Sequence, residues 1–477
     1  MYVFFLLFER TFPLMIQVDV ALQCRDLLPA LTRMWEVSAR CLTLLEGDWT
    51  PEKGSPVFTI LGKYTSRGWT EWTQGFQFGS SLLQFDATGD AEFLESGRQR
   101  IWELMPPHVS HVGVHDHGFN NVSTYGTLRR LILEGRLPEN PAELALYDLA
   151  LKVSGAVQAA RWSPIHGGGG YLYSFNGPHS LFADTIRSLR SLALAHLLGQ
   201  RLMGENDQPV NLLERLLQHA RATCEFNVYY GENRDLYDVS GRVAHESVFN
   251  PDDGRYRCPN SQQGYSPFTT WTRGAAWIIT GLAEQLEFLA HVPDGELETS
   301  GGRQEIEDRM LAAARATSDY FISESPTDGI PYWDTGAPGL VHLGDYQNCP
   351  ADPFNQYEPV DSSAAAIAAQ GLIRLGRFLN LRGDSGDHYF QCGLTILKTL
   401  LSDPYLNNDP DHEGLLLHSI YHRPRNWDHV PAGARIPYGE ACMWGDYHLR
   451  ELALLVQRIA HNESYYTFFG PASAFNG

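Results

Sequence analysis

Apolar side chains recur every three or four residues along most of the chain, and the strict alternation that marks a strand is confined to short pieces between those runs. This periodicity predicts twelve helices, near residues 17–45, 72–88, 90–106, 117–134, 141–159, 181–202, 208–226, 268–290, 303–323, 361–380, 386–402 and 440–460. No Ser/Gly-rich linker or change of composition divides them. A single all-helical domain over 17–477, behind an N-terminal extension at 1–16, is therefore expected.

The even-numbered helices differ from the odd-numbered ones. The second carries Gly75, Gly79 and Ser80-Ser81, the eighth Gly274-Ala275-Ala276, and the tenth Ser362-Ser363-Ala364-Ala365-Ala366, small residues that let helix backbones approach closely. The ninth instead carries Arg303, Glu305, Glu307, Asp308 and Arg309, the charge of a solvated face. Six small-residue helices ringed by six amphipathic ones make an all-α (α/α)6 toroid. The segments that enter the inner helices then open on one end, and the polar and aromatic clusters fall there: Trp69-Thr70-Glu71-Trp72, His115-Asp116, Phe182-Ala183-Asp184, Thr270-Trp271-Thr272-Arg273, Asp361-Ser362-Ser363 and Glu440-Ala441-Cys442-Met443-Trp444-Gly445-Asp446. Helix capping accounts for the Asp and Ser residues one by one, but not for the Trp and Arg beside them. The expectation is a bowl walled by the long Gly/Pro/Asp-rich stretches 227–267 and 324–360. The run Gly167-Gly168-Gly169-Gly170 is either a lid hinge or a point where another loop passes close.

Composition narrows the chemistry. Aromatics make up 12% of the 477 residues, including 11 Trp and 22 Tyr, flat side chains suited to stacking on ligands. A formal net charge of −20 argues against nucleic acid or an anionic membrane as the main partner, while a few local Arg or His side chains suffice for an anionic small molecule. Seven scattered cysteines without CxxC spacing indicate neither a disulfide framework nor structural zinc, which makes a cytoplasmic setting the simpler expectation. The apolar start from Met1 to Phe8 lacks a basic flank, so it argues little for a signal peptide and not at all for a spanning helix. No Walker loop, GxGxxG, GxSxG or HExxH occurs, which removes nucleotide, serine-hydrolase and zincin chemistry as first choices.

Three constellations remain. Asp116 and Asp184 stand at the entries of successive inner helices, where two carboxylates sharing a site could not both ionise freely; the spacing alone fits two independent helix caps equally well. His108, His111, His115 and His117 have HxxH and HxH spacings, but Pro106-Pro107 makes this a loop of undefined geometry, so no metal and no cofactor are expected and His115 is read as orienting the neighbouring acid or a substrate hydroxyl. Trp72, Trp271 and Trp277, with Arg273, Gln263 and His245, have the makings of a sugar-stacking wall with groups for a carboxylate, although Trp277 also reads as core and Arg273 as the partner of a structural Asp.

Trp72-Thr73-Gln74-Gly75-Phe76, His115-Asp116 with Gly118-Phe119, Asp184, Trp271 with Arg273-Gly274 and Ala276-Trp277, Asp361 through Ala366 and Trp444-Gly445-Asp446-Tyr447 together resemble family 88 of the glycoside hydrolases, the unsaturated glucuronyl hydrolases, over about residues 60–460. That resemblance implies the same (α/α)6 toroid and an exo-acting enzyme on lyase-generated oligosaccharides that end in a 4,5-unsaturated uronate. It implies Asp184 as the general acid/base that protonates C4 and helps water add at C5, with Asp116 as the charged partner that keeps that proton in place. It places Trp72, His115, His245, Gln263, Trp271, Arg273 and Trp277 at the substrate. Two departures stand out: His117, where the family commonly has an apolar residue, puts a titratable group beside the catalytic carboxylate, where it could shift the pH optimum, and Thr185-Ile186-Arg187-Ser188-Leu189-Arg190, which lacks the usual Asn-Leu-Pro, changes the support behind the acid. An unsaturated rhamnogalacturonyl hydrolase of the same fold and a carbohydrate-binding toroid without catalysis remain as alternatives. Linkage, sulfation preference and oligomeric state are not written in the chain.

Overall fold

The computed structural model describes residues 16–68 and 72–470. All of the expected N-terminal extension except Ile16, together with Trp69-Thr70-Glu71, lies outside the described residues. Within them the twelve helices are all present: α1 (Leu28–Asp48), α2 (Gln74–Thr88), α3 (Ala91–Leu104), α4 (His117–Asn120, a π turn at Val122–Gly126, then Thr127–Leu133), α5 (Pro141–Ala159), α6 (Thr185–Ser188 with Arg190–Leu197), α7 (Leu212–Ala222, extended by Thr223–Asn227), α8 (Thr272–Leu289), α9 (Arg303–Glu324), α10 (Ser362–Leu381), α11 (Asp387–Leu400) and α12 (Met443–His461).

Two predicted boundaries move. The first helix starts at Leu28 rather than near 17, with Pro29 in its first turn, where a fixed φ is favourable and no N–H is needed. The chain ahead of it is held elsewhere, since the Gln17 amide donates to the Thr327 carbonyl (2.8 Å) and Ile16 is buried. The sixth helix starts only after Asp184, because Ser180–Phe182 pairs as a strand with Glu246–Phe249, which pairs in turn with Tyr256–Asn260. Pairing with a distant segment has overridden the local apolar spacing there.

The even-numbered helices touch in the cyclic order α2, α4, α6, α8, α10, α12 and back to α2, and the odd-numbered helices pack outside them. Burial follows that division. Every residue of α8 is buried, whereas α3 buries only Gly97 and Ile101. The small residues do what their spacing suggested, for a glycine stands at each joint of the inner ring. A Cβ on Gly75 would lie 2.4 Å from Asn120 Cα, on Gly118 2.2 Å from the Ser188 oxygen, on Gly281 2.7 Å from the Arg187 nitrogen, and on Gly371 2.7 Å from Thr280 Cα. Gly445 faces Ser363 and Gly79 faces Tyr447 in the same way, at 3.1 and 3.0 Å. Among the described residues no helix is long and apolar enough to cross a membrane.

Inner helices packed this closely still carry charge at the centre of the ring. Arg187 donates to Glu284 (2.6 Å), to Glu451 (2.7 Å) and to Nε2 of His448 (2.8 Å), and Arg190 reaches Glu451 (3.5 Å) and the Gly118 carbonyl (2.9 Å). Glu451 is fully buried and also accepts from Tyr466 (3.1 Å). A buried ion pair contributes little relative to a well-packed apolar substitute, but breaking one strands a charge out of water. Glu451→Gln is therefore expected to cost about 3–5 kcal/mol in denaturant unfolding, and a loss under ~1 kcal/mol, the value of an exposed pair, would contradict a structural role for this network.

Candidate active site

At the end of the ring where the inner helices begin lies a cavity of about 390 Å³, walled by Trp72, His115, Asp116, Asp184, Gln263, Trp271, Arg273 and Trp277. Of the catalytic and substrate-contacting residues that the resemblance implies, His245 alone is off that wall, behind Trp271 and Phe182, with ring centroids 4.6 and 4.5 Å away. The expected bowl is present.

Asp116 and Asp184 occupy the residues just before α4 and α6, and neither side chain accepts a hydrogen bond from its own helix. Asp361 behaves differently: it caps α10 by accepting from the Ser363 and Ala364 amides. The capping explanation thus holds for Asp361 and fails for the pair. Both free carboxylates approach one atom, Nε2 of His115, Asp184 at 3.2 Å and Asp116 at 3.7 Å. All three groups are buried. Burial pushes Asp116 up to about 6, with the His115 charge opposing and the Asp184 charge adding to the rise. Burial acts the same way on Asp184, but its hydrogen bond from His115 and the nearby His115 and His245 charges prevail and hold it below the usual carboxylate value. His115 is raised, its own burial outweighed by the charge of Asp116 and the bond to Asp184. These shifts run in opposite directions, Asp116 up and Asp184 down, whereas the resemblance implies a proton held on Asp184.

The spacing of the pair is set by the segment whose sequence was unusual. Ser188 Oγ donates to the His115 carbonyl (2.7 Å) and accepts from the Gly118 amide (3.0 Å), and Gln158 Nε2 donates to both Ser188 Oγ and the His115 carbonyl (3.0 and 2.6 Å). This polar clamp fastens α6 to the entry of α4. His117 points away from the carboxylates: Nε2 meets the His111 carbonyl and Nδ1 meets Ser154 Oγ, both at 2.9 Å. Burial pushes His117 down to about 4, so it is a neutral pin for the 108–115 loop.

Arg273 lies between Trp271 and Trp444, 4.6 and 4.8 Å from their ring centres, and donates to Asp361 (2.8 Å), the Tyr421 carbonyl (2.8 Å), the Ile420 carbonyl and Gln263 Oε1 (3.1 Å). It organises the wall. Nδ1 of His245 accepts from the Gln262 and Gln263 amides (3.2 and 3.3 Å), and burial pushes the ring down to about 4. The neutral ring must therefore carry its proton on Nε2, a buried atom without a partner among the described residues. Trp72 stacks on Trp444, with centroids 4.9 Å apart.

Tyr421, His422, Arg425 and Trp427 also line the cavity, and sequence reading missed them. Their signal was the aromatic and basic run Tyr421-His422-Arg423-Pro424-Arg425-Asn426-Trp427, passed over as a connector between helices. The stretch 324–360 was assigned a wall and supplies none; Asp334 within it instead braces the 262–271 loop by accepting from the Tyr265 amide (2.7 Å). Gly170 is a point of close approach, where a Cβ would meet Trp162 at 2.4 Å, and the glycine run borders a different cavity beside α7 and α9. Among the described residues no cluster of three or more His, Cys, Asp or Glu is placed to hold a metal ion.

Side-chain NMR titration should give Asp116 a midpoint near 6, about two units above an ordinary aspartate, while His117 stays neutral until about pH 4. A His117 midpoint at the ordinary histidine value would contradict its buried, doubly bonded placement.

No protein-family model matches the chain. Among curated proteins it is 24% identical over 405 residues to the unsaturated glucuronyl hydrolase of Bacillus sp. (strain GL1), covering 83% of this chain and 89% of that one. It is 21% identical over 387 residues to the unsaturated chondroitin disaccharide hydrolase of Streptococcus agalactiae serotype III (strain NEM316), covering 80% of each. The crystal structure of the Bacillus sp. GL1 unsaturated glucuronyl hydrolase superposes with a TM-score of 0.67 at 20% identity, covering 93% of this chain and 99% of that one. In sequence along four fifths of its length, and in its α/α toroid along more than nine-tenths, the chain is similar to the unsaturated glucuronyl hydrolases.

Proposed function

We propose that this chain is an exo-acting glycoside hydrolase that removes a 4,5-unsaturated uronic acid from the non-reducing end of lyase-generated, glycosaminoglycan-type oligosaccharides. The observation that carries this reading is the pair of buried carboxylates, neither capping a helix, that share His115 Nε2 at the floor of an aromatic cavity.

The substrate is a vinyl ether, and its reaction is hydration. Asp184 delivers a proton to C4, which leaves an oxocarbenium ion spread over C5 and the ring oxygen. The resulting Asp184 carboxylate takes a proton from water as the water oxygen bonds to C5. The C5 hemiketal then opens: its C5–O5 bond breaks, O5 takes up a proton, and the hemiacetal left at C1 breaks down to free the next sugar. One water is consumed and Asp184 regains its proton.

In the ligand-free protein Asp184 is the lower of the two acids. The bound uronate brings a further negative charge beside the pair, which favours a proton on Asp184, and His115 can hand one over along their 3.2 Å contact. Asp116 and its shared imidazole keep that proton in the cluster. The three groups then titrate as one unit with macroscopic pKa values. Both terminal nitrogens of Arg273 are engaged with the protein and His245 lies behind the wall, so these two side chains act by holding Gln263, which lines the cavity, toward the uronate or its ring hydroxyls. Trp72, Trp271 and Trp277 form the stacking walls.

Loss of the ultraviolet absorbance of the conjugated C4=C5 bond reports the reaction. Wild-type protein should consume a lyase-derived unsaturated disaccharide, and Asp184→Asn should lower kcat by at least about 10²–10⁴-fold with little change in KM. Full activity in that variant would remove Asp184 from the chemistry, and binding without any loss of absorbance by the wild type would leave a carbohydrate-binding toroid.

A further inference from the structure

Two stretches of chain that line the cavity, 111–115 with His111, Val114 and His115, and 173–176 with Phe175, meet beside the acid cluster. One buried side chain joins them from behind. Arg161 follows the end of α5 and precedes the strand Trp162–Pro164, which pairs with Gly170–Leu172, so it stands opposite Tyr173. Its carbonyl accepts the Tyr173 amide (3.0 Å), and its guanidinium lies 4.3 Å from the centre of the Tyr173 ring. Nε donates to the Tyr173 carbonyl (3.1 Å), Nη2 to the Ser174 carbonyl (2.7 Å) and Nη1 to the Val112 carbonyl. A planar fork with donors on three nitrogens can span two loops in this way, and an ammonium group on one atom cannot. In front, the same two loops meet through their rings. Phe175 lies nearly parallel to His115, with centroids 6.0 Å apart and 19° between planes, and both stand edge-on to Phe182, at 5.6 and 5.7 Å. The turn that presents Phe175 is fixed on its own account. The Ser174 carbonyl accepts the Gly177 amide (3.1 Å) as well as Arg161, and Ser174 Oγ accepts the Asn176 amide (3.1 Å).

Phe175 nonetheless stays 52% exposed while lining the cavity, whereas Trp271 and Trp277 on the same wall are 3% and 2% exposed. That gradient orders the cavity. A terminal uronate has no sugar beyond it and takes the closed end beside the acid pair; the sugar it leaves, which carries any longer chain, must lie toward solvent. We propose that Phe175 is the platform for that leaving sugar and that Arg161 is its positioning residue, locking the Phe175 turn to the loop of His115. The proposal rests on the exo-acting reading above. Arg161 itself meets only protein. Its charge also bears on Asp116, which it lowers together with His115 and against Asp184, so a change of charge can be told from a change of fit.

The test compares an unsaturated disaccharide with the methyl glycoside of the same unsaturated uronic acid, which presents the reacting ring without a leaving sugar. Phe175→Leu should lower the preference for the disaccharide, the ratio of the two kcat/KM values, by about five- to tenfold through KM, and Phe175→Tyr should restore it. Arg161→Lys should lower the preference as much, and adding it to Phe175→Leu should cost nothing more, because the arginine acts through the ring. Arg161→Met should do the same and also raise the Asp116 midpoint, which the lysine variant leaves in place. Without substrate, the His115 ring-proton shifts report the Phe175 ring beside them: they should move in Phe175→Leu and likewise in Arg161→Lys. An unchanged preference in Phe175→Leu, or losses in the two single variants that add in full, would overturn the proposal. If the lysine variant does not fold, the wild type decides the arginine's part: slowly exchanging Arg161 Nη protons support it, and a freely rotating guanidinium refutes it. If the wild type consumes neither glycoside, the exo-acting reading and the place of the leaving sugar fall together, while His115 shifts that do not move in Arg161→Lys refute the positioning by themselves.

Discussion

A side chain at position 118 would drive its Cβ to within 2.2 Å of the Ser188 carbonyl oxygen, so α4 and α6 meet backbone to backbone just where Asp116 and Asp184 leave their helices. Much else depends on that contact. It closes one joint of a six-jointed ring, and it brings the Gly118 amide and the His115 carbonyl within reach of Ser188 Oγ. Two carboxylates are thereby held close enough to share one imidazole nitrogen, at a depth where burial pushes both up and the hydrogen bond from His115 brings Asp184 back below the usual value. The radius of the toroid and the electrostatics of its site have a common cause in close backbone packing.

The buried charges below the site belong to the same constraint. Helices that approach on glycine leave little room for large apolar side chains at the axis, and here Arg187 and Arg190 fill that space with hydrogen bonds to Glu284 and Glu451. Arg190 also returns to the Gly118 carbonyl, and His448, which accepts from Arg187, lies edge-on to Trp277 on the cavity wall. The floor of the pocket and the core of the ring are one connected hydrogen-bonded body.

The ring was legible in the sequence because its signals are periodic: apolar spacing for the helices, and small residues that recur on alternate ones. The carboxylates and tryptophans were legible because they break that periodicity at helix entries. What escaped was fixed by contacts between distant segments. Nothing local to His117 tells that both its ring nitrogens are taken up by Ser154 and the His111 carbonyl, and nothing near Arg273 tells that Gln263, Asp361 and the carbonyls of 420–421 all converge on it. The wall at 421–427 was missed for the related reason that a connector whose only regular element is the single 3₁₀ turn Arg423–Arg425 has no period to read. The protonation order of Asp116 and Asp184 was not legible either, because it depends on a difference of 0.5 Å in their distances to one nitrogen.

The central claim is that water attacks C5 and the glycosidic bond is never displaced directly. Reaction of the wild-type protein with an unsaturated disaccharide in aqueous methanol, analysed by mass spectrometry and NMR, tests it most directly. Methanol adding at C5 gives a methyl ketal that cannot open by losing a proton, so the account predicts an intact disaccharide carrying one methoxy group at C5 and a new hydrogen at C4. A methyl glycoside at C1 with the C4=C5 bond retained, and the partner sugar released, would contradict it.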